Sequence, residues 1–261
     1  MNGIVSMQLL LSLSLFIIGA IIGSFLNVCI FRLPEGKSII HPRSSCPKCG
    51  KPIRFYDNIP ILSYFILLGK CRDCREAISP QYAIIEALTG FLLVCLYLKY
   101  GNTPALPATF IFCAALIVIT FIDLEHQIIP DVITLPGIPI FYLASVLIMK
   151  LSYLDALLGL LIGGGTLYLI SFGYRFFTKR EGMGMGDVKL LAMLGAFLGW
   201  KSLIFILFFS SFFGALVGVI IILLKKGNMK YAIPYGPFLS AAAVAYIFWG
   251  DIFSAYLFGF V

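Results

Sequence analysis

The chain has 261 residues, a net charge of +7, 61% hydrophobic residues and only 12% charged ones, with a mean hydropathy of +1.02. A soluble domain carries about 25% charged residues, so there is too little charge here to coat a globule. Disorder, collagen-like repeats and a secreted disulfide scaffold are excluded by the same numbers. What remains is a multipass membrane protein, and the positive charge then has to be placed on one side of a bilayer.

A spanning helix needs about 20 residues. The chain opens with 31 uncharged residues before Arg32. This run has no basic segment ahead of it and outlasts the apolar part of a secretory signal peptide, so it predicts a retained helix. Within it, Asn27 is a candidate interhelical hydrogen-bond donor and Gly23-Ser24 a close-packing site.

Residues 32–79 are polar and carry four of the seven cysteines, as Cys46-Pro-Lys-Cys49 and Cys71-Arg-Asp-Cys74 with 21 residues between the pairs. Two such knuckles at this spacing match a zinc ribbon, in which each turn supplies two thiolates to a tetrahedral ion. A redox pair is the competing reading. Cys29, Cys95 and Cys113 lie in or beside apolar runs and read as small core residues.

After this loop, a helix over about 80–98 contains a single acid, Glu86, which at that depth needs a partner or a substrate role. Uncharged runs of 23 residues (100–122), 18 (132–149), 19 (156–174), 23 (202–224) and 20 (231–250) each fit one helix. The segment from Asp187 to Trp200 is short for a crossing, and a re-entrant loop is its alternative. Gly163-Gly-Gly165 reads as helix packing. The expected fold is all-α and polytopic, with about eight transmembrane helices and a small zinc-ribbon-like loop between the first two. Its divisions are 1–31 (first helix), 32–79 (four-cysteine region) and 80–261 (remaining helices).

Orientation follows from the loop cations. Residues 32–75 hold nine Lys and Arg, 175–189 hold four and 225–230 hold three, against Lys99, Lys150 and Lys201 on the other side. The 16-to-3 asymmetry faces the cysteine loop to the cytoplasm and both termini outward. The +7 is thus an orientation signal, and no nucleic-acid partner is implied. A reducing cytoplasm also disfavours a disulfide reading of the CxxC pairs.

The same topology brings two of the twelve acids to one membrane face at similar depth: Asp123 in Phe121-Ile-Asp123, and Asp187 in Gly184-Met-Gly-Asp187. Acids at a membrane boundary are costly and mark function. Two carboxylates that approach across helices can share one proton, one activating water and the other donating to a carbonyl oxygen, as in an aspartic protease. On the residues alone a second reading stays open, in which Asp187 is an N-cap and Asp123 a helix-end charge. Glu125 and His126 read as interfacial groups.

These motifs together resemble the bacterial prepilin peptidases (type IV leader peptidases) of the GxGD aspartic family. The matching segments are Gly23-Ser-Phe-Leu-Asn-Val28, Phe31-Arg-Leu-Pro34, the CxxC pairs around Tyr56-Asp-Asn-Ile-Pro60, Phe121-Ile-Asp123 with Ile129-Pro-Asp131, Gly184-Met-Gly-Asp187-Val-Lys-Leu190, and Ile233-Pro-Tyr-Gly-Pro237. The resemblance implies catalytic aspartates at Asp123 and Asp187, zinc on Cys46, Cys49, Cys71 and Cys74, and a place in the bacterial inner membrane. It implies removal of a basic leader from prepilins or pseudopilins, after a glycine and before an apolar helix, at the cytoplasmic face. Members with the cysteine loop typically then methylate the new N-terminus with S-adenosylmethionine. This chain departs from the family pattern at Gln81 and Ala83, which bears on the start of the second helix and on methylation, and at Glu125; neither departure touches Asp123 or Asp187. No glycine-rich nucleotide loop on a Rossmann unit is present to hold the methyl donor.

A basic leader meets a basic cytoplasmic face, so long-range steering opposes this complex, and Asp57, Glu76 and Glu86 are the acids placed to offset it. A transporter would show inverted repeats with polar groups at mid-membrane. A membrane thiol oxidoreductase would hold its CxxC pairs on the oxidising side and bind no stoichiometric metal.

Overall fold

The computed structural model describes residues 2–179, 184–224 and 233–259. Two features of the sequence reading lie outside the described residues: the basic loop at 225–230, and Gly182 with Arg180 ahead of the Gly184 motif. The fold is helical, and the β-structure among the described residues is two isolated bridges. Helices α1 (Asn2–Arg32), α3 (Gln81–Tyr100), α4 (Ala105–His126), α6 (Tyr153–Thr178), α8 (Trp200–Leu224) and α9 (Gly236–Phe258) are long and apolar enough to cross a membrane. Two more apolar helices are shorter: α5 (Asp131–Leu147, 17 residues) and α7 (Met185–Leu198, 14 residues). A short helix α2 (Leu62–Ile66) and a 3-10 turn (Phe55–Asn58) lie in the cysteine region.

All eight expected apolar segments are therefore helices, of which six have full spanning length. At 1.5 Å per residue α7 rises only about 21 Å, short of a hydrocarbon core about 30 Å thick. Its environment explains the tolerance. Nine of its residues, from Val188 to Phe197, are buried, so α7 meets protein on nearly every side. A helix enclosed by other helices need not match the lipid thickness.

By its internal contacts the chain forms two units, Met1–Val118 and Ile119–Val261. In the first, α1 lies against α3 at the small residues. A Cβ on Gly19 would sit 2.7 Å from the Gly90 Cα, and one on Gly23 would sit 2.7 Å from the Glu86 Cα. Backbones approach this closely only where side chains are absent, which is how apolar helices gain packing energy without a hydrophobic driving force. Asn27, 1% exposed, donates to the Tyr82 carbonyl at 3.1 Å, the interhelical bond its position predicted. Phe31 stacks on Tyr82 one turn away.

In the second unit α7 is the central helix. Gly159 and Gly163 of α6 lie directly on the backbone of Gly195 and Leu191 of α7, while Gly165 has open space around it. Ser145 of α5 donates to the Ala196 carbonyl at 3.0 Å, and Trp200 donates from its indole to Asp155 at 3.0 Å. The glycine contacts and the Ser145 bond hold α7 against α6 and α5, and the Trp200 bond ties the start of α8 to α6. Cys29 and Cys113 are buried as expected, whereas Cys95 lies on an exposed helix face.

Candidate active site and metal centre

Asp123 sits in the last turn of α4 and is 5% exposed. Burial separates it from its neighbours Glu125 and His126, which are exposed and 3.9 Å apart, as interfacial groups would be. A helix-end charge would face outward, and Asp123 does not. Its Oδ2 accepts a hydrogen bond from the main-chain N–H of Gly236 at 3.0 Å. Gly236 opens α9 and has Pro237 beside it. Proline suits the first turn, where its missing N–H costs nothing. The open N–H groups of a helix start attract a carboxylate through hydrogen bonding and the helix dipole together.

Asp187 lies in the first turn of α7. The N-cap there is Gly184, and no side chain caps the helix, so the N-cap reading of Asp187 does not describe its geometry. Asp187 comes to the same place through Ile129, which packs both on Gly186 beside it and on Gly236, the hydrogen-bond partner of Asp123. The loop residue Ile129 supports this arrangement. A Cβ on Gly186 would meet the Ile129 Cβ at 2.9 Å, so glycine lets the start of α7 close onto the segment after α4. Farther along both segments, Lys189 Nζ donates to both carboxylate oxygens of Asp131 at 2.8 Å and ties α7 to α5.

Beside α9 is a small cavity of about 160 Å³, lined by Ser211, Gly214, Ala215, Ile233, Tyr235 and Phe238 among others. The Tyr235 hydroxyl in it lies 2.7 Å from Ser210 Oγ and 3.2 Å from Ser211 Oγ.

The cysteine region is built from two copies of one turn. In each, the first cysteine's carbonyl accepts from the residue four positions on (Gly50 to Cys46, 2.9 Å; Arg75 to Cys71, 3.0 Å). Its N–H donates five positions on (to Lys51, 3.0 Å; to Glu76, 2.8 Å). Gly50 and Arg75 both take positive φ, at 70° and 60°. The bridges Ser45–Pro52 and Lys70–Ala77 close the two turns. Their four sulfur atoms lie within 4.8 Å of one another. Cys46 and Cys74 are 3.7 Å apart, too far for a disulfide at about 2.05 Å. That spacing matches the edge, about 3.8 Å, of a sulfur tetrahedron around zinc with bonds near 2.3 Å. The main-chain N–H groups of Cys49 and Lys48 pull the Cys46 thiol down to about 6, toward the thiolate a metal requires. The donor set fits one soft divalent ion.

Ion pairs lock the two turns together: Lys51 to Asp73 at 3.0 Å and Lys48 to Glu76 at 2.8 Å. Arg72 forks onto Asp57 and holds its carboxyl below the usual carboxylate range. Glu86, 7% exposed, accepts the N–H of Ile61 at 2.7 Å. All three acids placed to offset a basic leader already have partners within the protein.

The partnership of Gly236 with Asp123 was not derivable from charge or periodicity. The only signal was the Ile233-Pro-Tyr-Gly-Pro237 string, a turn sequence with no chemistry of its own.

Comparison with known proteins gives two family matches: the bacterial peptidase A24 N-terminal domain over residues 17–100, and the type IV leader peptidase family over residues 110–219. A prepilin leader peptidase/N-methyltransferase of Aeromonas salmonicida (strain A449) is 37% identical, with 90% of each chain covered. The protein of that name in Pseudomonas aeruginosa is 36% identical over 90% of this chain and 89% of its own. The one in Myxococcus xanthus is 39% identical over 82% and 64%. No solved structure matches.

Proposed function

The chain belongs to the type IV leader peptidase family, and from that premise we propose that it is a membrane aspartic endopeptidase acting on prepilins or pseudopilins, with Asp123 and Asp187 as the catalytic pair. The observation that carries this reading is the convergence of the Asp123 end of α4 and the Asp187 start of α7 on Ile129 and Gly236, with Asp123 buried against the start of α9. Like charges at close range hold one proton between them. One carboxylate then takes a proton from water as it attacks the scissile carbonyl carbon, and the other donates to the carbonyl oxygen.

The excess of cations in the loops on the side of the site supports a position at the cytoplasmic face of the inner membrane, where the junction between a basic leader and an apolar helix arrives. The region 32–79 is proposed as a separate element that binds one structural zinc through Cys46, Cys49, Cys71 and Cys74. The region 80–261 forms the peptidase core, with both acids inside 119–261. A metal suits a region that is too small and polar to build a core by itself. N-methylation of the new terminus follows cleavage, with S-adenosylmethionine as the methyl source. The substrate is a membrane peptide, and no nucleic acid takes part.

The test is mass spectrometry of a purified prepilin incubated with the full chain in lipid nanodiscs. Cleavage on the C-terminal side of the glycine is expected, with a further methyl mass only when S-adenosylmethionine is added. An uncut prepilin with correctly folded enzyme overturns the reading.

A further inference from the structure

The two carboxyl groups of the site are held differently, and the difference bears on which of them carries the proton. Asp123 Oδ2 receives the N–H of Gly236 at 3.0 Å, at the start of a 23-residue helix. Among the described residues no donor reaches Asp187, and its own helix is capped by Gly184 without a side-chain bond. Among the described residues, the charged groups around the pair do not reverse this asymmetry. From α7, the start that carries Asp187 comes up to Asp123 through Ile129, which packs on both Gly186 and Gly236. Lys189 of α7 is engaged by Asp131 of α5. Glu125 and His126, on the helix of Asp123, are exposed. Gly236 brings no titratable group from α9. A hydrogen bond to a carboxylate stabilises the charged form and is stronger than one between neutral groups.

We propose that Gly236 is a positioning residue whose main-chain N–H keeps Asp123 as the ionised member of the pair and leaves the shared proton on Asp187. This rests on the peptidase reading above. Asp123 is then the base and Asp187 the acid. Water's oxygen bonds to the scissile carbonyl carbon and one water proton moves to Asp123, while the Asp187 proton moves to the carbonyl oxygen. The product is a neutral gem-diol. As the C–N bond breaks, Asp123 returns its proton to the leaving amine nitrogen, and one diol hydroxyl returns a proton to Asp187. One water is consumed, and the pair ends as it began. Glycine is needed for a second reason: a Cβ at position 236 would stand 2.6 Å from Asp123 Oδ2.

The test uses cell-free synthesis of the full chain into nanodiscs, with suppressor tRNA delivering two kinds of building block. Glycolic acid at position 236 removes the N–H and adds no side chain. The acid limb of the kcat/KM profile, which reports the base, is expected to move up by about one pH unit, with the alkaline limb nearly still. An equal loss at every pH, with both limbs in place, reduces Gly236 to a structural residue and overturns the proposal. Movement of the alkaline limb alone makes Asp123 the acid and also overturns it. Carboxyl-13C aspartate at 123 or at 187, in the otherwise unaltered protein, reads the two ionisation states by infrared spectroscopy without any substitution. Carboxylate at 123 and carboxylic acid at 187 near neutral pH are expected, and the reverse overturns the assignment. Prepilin cleavage by D123N and D187N separates the two levels. If either cleaves normally, the peptidase reading falls; if both are dead and the labels read reversed, only the assignment falls.

Discussion

Gly236 and Asp123 are 113 positions apart in sequence, and a single hydrogen bond of 3.0 Å joins them. It brings the start of α9 onto the end of α4 at the place where α7 delivers Asp187. The Ile233-Pro-Tyr-Gly-Pro237 string thereby gains a physical reason. A helix must begin there, with a free N–H and no side chain, for the carboxylate to fit.

Gly236→Ala tests that reason sterically. The added Cβ would overlap Asp123 Oδ2, and the carboxylate must shift. Misplacing a reacting group by about 1 Å costs on the order of a hundredfold in rate. A loss of that size in kcat, with KM for prepilin little changed and thermal unfolding in detergent within a few degrees of the parent, is expected. Full activity would show that the contact is not needed.

The α6–α7 seam predicts opposite signs for neighbouring glycines. Gly163→Ala places a Cβ 2.6 Å from the Leu191 carbonyl oxygen, an overpacking that costs about 1–3 kcal/mol. Gly165→Ala meets nothing within 4 Å. It should be neutral, or stabilising by up to about 1 kcal/mol through helix propensity. Thermal unfolding of the two variants side by side checks this. A destabilised Gly165→Ala together with an unaffected Gly163→Ala would reject the described packing.

The cysteine region should hold one zinc per chain, measured by elemental analysis. Replacing any one of Cys46, Cys49, Cys71 and Cys74 by Ser should lower the metal content and raise protease nicking within 32–79. Aspartyl chemistry uses no thiolate, so prepilin cleavage should survive in vitro at short times. Cobalt-substituted protein should show thiolate charge-transfer bands. Their absence would count against a four-sulfur site.

Much of this was legible in the sequence because membranes enforce simple rules. Helix lengths, the cation asymmetry and the costliness of acids near lipid located eight helices, Asp123 and Asp187 without any contact information. The two CxxC turns were equally clear, since local spacing alone dictates a knuckle. What the sequence hid was long-range. Glu86 read as a group in need of a partner, and its partner is a backbone N–H at Ile61, where φ is +64° in the loop. Gly159 and Gly195 meet across helices, and neither stood in a conspicuous motif. The engagement of Asp57 by Arg72 and of Glu76 by Lys48 likewise depends on how the knuckles fold together.

Orientation is the next test. Reporter fusions at Arg54 and Lys179 should read cytoplasmic and fusions at Gly101 and Ser152 outside, as the 16-to-3 asymmetry requires. A fusion at Trp200 decides whether the short α7 crosses completely. An outside signal means that it does, and a cytoplasmic signal makes α7 re-entrant.

The central claim is that two aspartates cut the prepilin, and single-turnover cleavage by D123N and D187N in nanodiscs measures it most directly. Asn keeps the volume of Asp but can neither carry nor release the proton. Each variant should insert, unfold at a temperature near that of the parent, bind its zinc and still bind prepilin, while the cleavage rate falls by at least about a thousandfold. Cleavage near the parent rate by either variant would remove that residue from the chemistry and contradict the account.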